Sequence, residues 1–284
     1  MQRLAGLIGG KLGHSLSPVL HDAAYRAMGL DWQYMLFEVA ENNLGTAVKA
    51  VRAFNMAGCN VTVPYKEKVI PFLDELTEVS QRTGSVNTVC LRDGKLLGHS
   101  TDGEGFIGDL RSHAMLPAKN DLVCVFGCGG AGAAVADAAL AAGCHNIVLC
   151  DMIVSKAELL KQKISVHYSD CIITAVAADN AVFEDYLREA RLFVNASPCG
   201  MEGYAEGLFP VQPTMIRRDA FVYDLVYNPN PTPLVRECSN MGIKAATGLG
   251  MLVRQAALSI GMWSGMHAPI EVMAGAVTGG RRRD

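Results

Sequence analysis

Val123-Cys124-Val125-Phe126-Gly127-Cys128-Gly129-Gly130-Ala131-Gly132 runs without a break into Ala133-Ala134-Val135-Ala136. The four apolar residues suit a buried strand, and the four small residues suit the opening of a helix. Between them lies G-x-G-x-x-G in its informative context of strand, tight turn and helix start. Gly127 permits the turn, Gly129 lets the backbone approach a pyrophosphate, and Gly132 lets helix and strand pack closely. At Gly130 and Ala131 the helix N-terminus offers unpaired N–H groups and its positive dipole end to phosphates. A merely structural glycine turn is the competing reading. A second strand over 147–150 ends at Asp151, about 20 residues beyond the turn, where a carboxylate accepts hydrogen bonds from an adenosine ribose. Asp151 is also placed to cap the helix that follows. The run Asp151-Met152-Ile153-Val154-Ser155-Lys156 puts an anion first and leaves Lys156 as the single cation for a 2′-phosphate. Charge therefore favours NAD over NADP.

Outward from this turn, short apolar runs alternate with amphipathic stretches. Strands are predicted over 4–8, 34–39, 60–63, 86–91, 122–126, 147–150, 172–175, 192–195, 221–225 and 243–245. Helices are predicted over 17–28, 44–54, 130–142, 155–166 and 232–241. This alternation implies an α/β protein of βαβ units, with parallel sheets covered on both faces. Pro117 and the polar residues of 111–121 place a domain transition nearby. The expected division is a first α/β domain over 1–103 and a Rossmann-type domain over 104–246. Apolar helical segments within 247–284 are expected to return and complete the first domain.

Composition narrows the function classes. With 50% hydrophobic and 19% charged residues, 284 residues have ample material for two buried cores. A net charge of -3 provides no basic field for nucleic acid. The cluster Arg281-Arg282-Arg283 reads as a solvated tail. No apolar run reaches the roughly 20 residues that span a bilayer, and residues 1–10 lack a signal-peptide pattern. A cytoplasmic protein is expected, without a membrane partner; nothing separates a monomer from a homodimer. The 9 cysteines are odd in number and form no C-x-x-C pair, so free thiols are expected rather than disulfides or zinc. The histidines lack metal-ligand spacing, and no metal is expected.

Four polar clusters recur at strand ends. Gly13-His14-Ser15-Leu16-Ser17-Pro18 carries two hydroxyls that can reach a polyol or carboxylate, though Ser17 before Pro18 also suits a helix cap. In Asn60-Val61-Thr62-Val63-Pro64-Tyr65-Lys66, Asn60 and Thr62 alternate with valines and share one strand face. Lys66 is expected near the start of a helical stretch, where a cation opposes the helix dipole; this suggests a functional role over an ordinary solvated one. Asn87 opens a strand in Ser85-Val86-Asn87-Thr88, and Asp102 in Thr101-Asp102-Gly103 leads into a helix. Asp102 can act as a cap. Paired with Lys66, it can instead move the proton that a secondary alcohol must release when it loses hydride.

These residues, in this order, resemble the shikimate dehydrogenase family over nearly the whole chain. Beyond the clusters above, the resemblance rests on His21, Asn195-Ala196-Ser197, Gly200-Met201, Tyr223-Asp224, Tyr227, Thr232-Pro233-Leu234, and Gly248-Leu249-Gly250-Met251-Leu252-Val253 with Gln255. It implies a substrate-binding domain completed by C-terminal helices, a dinucleotide-binding domain, and reversible reduction of 3-dehydroshikimate to shikimate in aromatic amino-acid biosynthesis. It implies that Ser15 and Ser17 hold the substrate carboxylate, and that Thr62, Asn87, Tyr227 and Gln255 hold hydroxyls and carboxylate. It makes Lys66 and Asp102 the catalytic pair and adds Gly248 to the cofactor-binding residues. Members that use NADP commonly carry Asn-Arg-Thr after the second strand of the dinucleotide domain. Asp151, Met152 and Ile153 stand there in this chain, as in the quinate/shikimate branch that uses NAD. The family's usual Asn before Thr-Asp-Gly is Ser100 here, while the Ser15-x-Ser17 pair points to shikimate over quinate. A ligand-sensing relative without catalysis is the alternative from another class; retention of both Lys66 and Asp102 argues against it.

Overall fold

The computed structural model describes residues 2–179, 181–203 and 211–278, so the Arg281–Arg283 cluster lies outside the described residues. The chain divides into two compact units. One runs to Gly105 and resumes at Leu252; the other is Phe106–Met251.

The first unit contains β1 (Arg3–Gly9), α1 (Ser17–Ala27), β2 (Trp32–Glu38), α2 (Leu44–Ala53), β3 (Gly58–Val61), β4 (Glu75–Leu76), α3 (Glu78–Thr83), β5 (Thr88–Arg92), β6 (Lys95–His99) and the start of α4 (Asp102–Ser112). Its sheet has the order β2-β1-β3-β5-β6-β4. β1 lies parallel to β2 and β3, but β5 runs antiparallel to both β3 and β6. The expectation of wholly parallel sheets fails here for a local reason. β5 and β6 are joined by Asp93-Gly94 alone, with φ of 50° and 77°. Two successive left-handed residues form the tight turn that matches strand twist, and Asp-Gly suits it. One face of the sheet packs Leu7, Leu20, Tyr25, Val253, Ile260 and Met273 together. The other buries Val48, Val51, Cys59, Val61 and Val89.

The second unit continues through β7 (Leu122–Phe126), α5 (Gly130–Ala141), β8 (Asn146–Asp151), α6 (Val154–Ser165), β9 (Ile172–Ala177), α7 (Ala181–Glu189), β10 (Leu192–Asn195), β11 (Phe221–Asp224), α8 (Pro233–Asn240) and β12 (Lys244–Thr247). All six strands are parallel, in the order β12-β11-β10-β7-β8-β9. Side-chain alternation along each strand sets the two cores. Val123 and Val125 face Val135, Ala139, Leu160 and Ile164 of α5 and α6. Leu122, Cys124 and Phe126 face Phe183, Leu187, Leu234 and Cys238 of α7 and α8. Burial on both faces explains why β7 reads as an unbroken apolar run. The chain then enters α9 (Leu249–Ser264) and α10 (Ile270–Thr278), which belong to the first unit from Leu252 onward. No helix among the described residues is long and apolar enough to cross a membrane.

Candidate active site

In the first unit, Lys66 Nζ lies 2.6 Å from Asp102 Oδ2, with side chains 16% and 6% exposed. Lys66 is not at a helix start. It lies in a chain of turns over 63–69, tied by Tyr65 N donating to the Thr62 carbonyl and Val69 N donating to that of Tyr65. Lys66 therefore opposes no helix dipole, contrary to the expectation; partial burial and pairing with Asp102 set it apart instead. Asp102 is the first residue of α4, and its carboxylate is spent on side chains: Oδ2 on Lys66, Oδ1 on Asn87 Nδ2 at 2.8 Å.

Asn87 is the hub. Its Oδ1 accepts from the Thr101 backbone N–H at 2.9 Å and from the Thr88 hydroxyl at 2.8 Å. Its Nδ2 donates to Asp102 and, at 3.2 Å, to Gln255 Oε1. Gln255 is on α9 and donates from Nε2 to the Leu252 carbonyl at 2.9 Å. Asn60 is turned inward, accepting from Tyr34 Oη at 2.8 Å and donating to Ser259 Oγ at 2.9 Å. It buttresses the site from beneath. Thr62 lies just beyond the end of β3 and is half-buried.

Ser15 and Ser17 sit at the entry to α1. Ser17 is its first residue, and no side chain caps the helix at Leu16. The capping reading of Ser17 is thereby overturned; Ser15 Oγ instead accepts from the Ser17 N–H at 3.3 Å. His21 is fully buried, its ring stacked 3.8 Å from that of Tyr34, and desolvation holds its pKa down at about 3. It is a neutral core residue. Ser100 is also buried, and its Oγ has no hydrogen-bond partner among the described residues. The loss of the usual Asn there leaves Asp102 fully engaged all the same.

In the second unit, the glycine turn leaves the C-terminal end of β7, between β8 and β10, where the strand order reverses. Open parallel sheets bind ligands at that point. Gly127 has φ +100°, and a Cβ there would sit 2.7 Å from the Ser197 amide nitrogen. A Cβ on Gly132 would sit 1.8 Å from the Gly127 carbonyl oxygen, whereas one on Gly129 would meet no atom within 4 Å. Gly129 is the N-cap of α5 and no side chain caps it, so Gly130 and Ala131 begin the helix with open donors. This bare cradle fits a dinucleotide pyrophosphate. Gly248 is needed for another close approach: its Cβ would lie 2.1 Å from the Leu225 carbonyl oxygen. Asp151 does not cap α6, whose N-cap is Ile153. Its carboxylate accepts from Cys128 N at 2.8 Å and Ile153 N at 2.9 Å, locking the β8 end to the glycine turn and leaving lone pairs that could accept from a ligand hydroxyl. Met152 and Ile153 are 66% and 54% exposed, and Lys156 is exposed on the first turn of α6. Burial pushes the Cys128 thiol up to about 12, and all nine cysteines are free. Tyr227 belongs to this second unit, half-buried beyond β11, with its phenol pKa raised by burial. Among the described residues, no group of three potential ligands could hold a metal ion.

A buried knot, for which sequence reasoning gave no role, ties the loops after β10 and β11. Asp224 accepts from Asn195 Nδ2 at 2.8 Å, Val226 N at 3.1 Å and Thr232 Oγ1 at 2.6 Å. Burial outweighs these three donors and lifts its pKa to about 6. A raised folded pKa means that the native state holds the proton where the unfolded chain has released it. Stability should therefore fall as pH rises from about 4 to 6. Relative to Asp224→Asn, the protein should be more stable by about 2 kcal/mol at about pH 4.5 than at about pH 7.5. Denaturant titrations at both pH values check this; a flat or opposite difference would contradict it.

A parallel six-stranded sheet with a glycine turn at its reversal point, in one chain with a part-buried Lys–Asp pair on the first α/β unit, is the build of a dinucleotide-dependent oxidoreductase. The family model described as the shikimate dehydrogenase substrate binding domain matches residues 7–89. That of the shikimate 5'-dehydrogenase C-terminal domain matches residues 248–278. The shikimate dehydrogenase (NADP(+)) of Alkaliphilus metalliredigens is 37% identical over 95% of this chain and 94% of its own length. Shikimate 5-dehydrogenase from Listeria monocytogenes, solved with shikimate and NAD, superposes with a TM-score of 0.88 at 30% identity, over 97% of this chain and 96% of that one. Quinate dehydrogenase from Corynebacterium glutamicum in complex with NAD also gives 0.88 at 30% identity, over 98% and 100%. This chain belongs to the shikimate dehydrogenase family.

Proposed function

We propose that this protein catalyses the reversible, nicotinamide-dependent interconversion of 3-dehydroshikimate and shikimate, with NAD preferred to NADP. The observation that carries the reading is the 2.6 Å Lys66–Asp102 pair, braced by Asn87. The dinucleotide, when bound at the glycine turn, supplies the hydride. As the ketone carbon gains that hydride, the Lys66 ammonium donates a proton to its oxygen; in the reverse direction the pair takes the hydroxyl proton back. Asp102 holds Lys66 in place. Asn87 and Gln255, already joined at 3.2 Å, offer amide groups to the ring hydroxyls, while Ser15 and Ser17 offer hydroxyls to the carboxylate. Thr62 and Tyr227 complete the proposed substrate contacts. The likeness to Listeria and Alkaliphilus shikimate dehydrogenases supports the substrate.

The cofactor preference rests on Asp151 and the exposed Met152 and Ile153: a 2′-phosphate here would meet a carboxylate and two apolar side chains. Asp151→Ser combined with Met152→Arg should shift the NAD-to-NADP ratio of kcat/KM towards NADP by about tenfold or more, the worth of one charged hydrogen bond. An unchanged ratio would place the ribose site elsewhere. Oxidation of quinate is the second reading, favoured by the likeness to the Corynebacterium NAD-bound quinate dehydrogenase. Steady-state rates with shikimate and quinate, each against both cofactors, test the assignment. Shikimate with NAD should give the highest kcat/KM; absence of turnover with either acid would refute the reading.

A further inference from the structure

Ser259 is fully buried on α9, one helical turn beyond Gln255. Its Oγ lies 2.8 Å from Thr88 Oγ1, 2.9 Å from Asn60 Nδ2, 3.0 Å from the Gln255 carbonyl and 3.5 Å from Thr101 Oγ1. The direction of each bond follows from what each group can do. The Thr101 backbone N–H can only donate, so Asn87 must turn Oδ1 towards it and Nδ2 towards Asp102 and Gln255. Asn87 Oδ1 also takes the single proton of the Thr88 hydroxyl. The lone pairs of Thr88 then face Asn60 Nδ2 at 3.1 Å and Ser259 Oγ. The Gln255 carbonyl is served by the helical N–H of Ser259, which frees the serine proton for Thr88. The result is a one-way relay, Ser259 to Thr88 to Asn87 to Asp102, whose buried members strengthen one another.

We propose that Ser259 is a positioning residue of the active site, its hydroxyl fixing the Asp102 carboxylate against Lys66 through Thr88 and Asn87. The proposal rests on the oxidoreductase reading given above. Ser259 reaches Asp102 through Thr88 and Asn87, so its effect should appear in the proton-transfer step and not in dinucleotide binding.

Ser259→Ala removes only the hydroxyl and favours the helix. It should lower kcat about tenfold, the effect of one buried hydrogen bond, and displace the pH profile of kcat, with dinucleotide Kd unchanged. Ser259→Thr, which keeps the hydroxyl, should recover most of the rate. At the other end of the link, Thr88→Val should match the loss and Thr88→Ser should not. Ser259→Ala combined with Thr88→Val should lose little more than either alone. Wild-type kcat and pH profile in Ser259→Ala would overturn the proposal, whatever its Tm, as would losses that multiply in the double variant. If Ser259→Ala does not fold, Thr88→Val against Thr88→Ser decides: equal rates would overturn it. A wild-type protein inert towards shikimate would instead sink the underlying functional reading.

Discussion

Lys66→Ala is expected to lower kcat for shikimate oxidation by about three orders of magnitude while leaving dinucleotide affinity unchanged. The magnitude is that of a positioned general acid or base, 100-fold to 10,000-fold. Loss of Lys66 also strands a buried carboxylate, since among the described residues Asn87 is the side-chain donor that remains to Asp102. Removing one partner of a buried pair costs more than the pair contributes. Tm should therefore fall, and rates must be compared on folded protein well below it. Lys66→Arg, which keeps the charge but not the compact ammonium, should restore stability more than turnover. Kinetic assay with parallel dinucleotide titration checks both parts. Near-normal turnover in Lys66→Ala would show that the proton leaves by another route.

Gly129→Ala should raise the dinucleotide Kd by about 100-fold with little change in Tm. The structure separates Gly129 from Gly132. A Cβ at Gly132 strikes the Gly127 carbonyl at 1.8 Å, so Gly132→Ala should destabilise the second unit itself. A Cβ at Gly129 strikes nothing within 4 Å, and the residue has φ -80°, so alanine is tolerated there by the empty protein. Among the described residues nothing lies within 4 Å of such a methyl, whereas a pyrophosphate bound at this backbone would meet it. Calorimetry of NADH binding beside thermal melts distinguishes the cases. Wild-type affinity in Gly129→Ala would mean that the phosphates do not approach this backbone.

The two units differ in how far their sequence announces them. The second unit was readable because its signals are local: β7, the glycine turn and α5 occupy consecutive residues, and burial on both faces makes the strands continuously apolar. The mixed sheet of the first unit was signalled too, by Asp93-Gly94 between two short apolar runs, yet strand–helix alternation elsewhere masked it. β4 has two residues, too short for any period to register. Lys66 and Asp102 were identifiable as chemistry-bearing types, but the turns over 63–69 depend on the Tyr65 ring, whose hydroxyl reaches the Val39 carbonyl at 2.5 Å. No local pattern encodes that anchor. The relay beneath the site was least legible, because Ser259 meets Thr88 across 171 residues and Asn60 across 199. Its one trace was the spacing of Gln255 and Ser259, four apart on a helix face.

A crystal structure of the protein with shikimate and oxidised dinucleotide would test the proposed chemistry most directly. Lys66 Nζ should then lie within about 3.2 Å of the hydroxyl oxygen whose carbon faces the nicotinamide, with Asp102 still paired to Lys66. A complex in which that hydroxyl is held by other groups, with Lys66 Nζ turned away from it, would contradict the account.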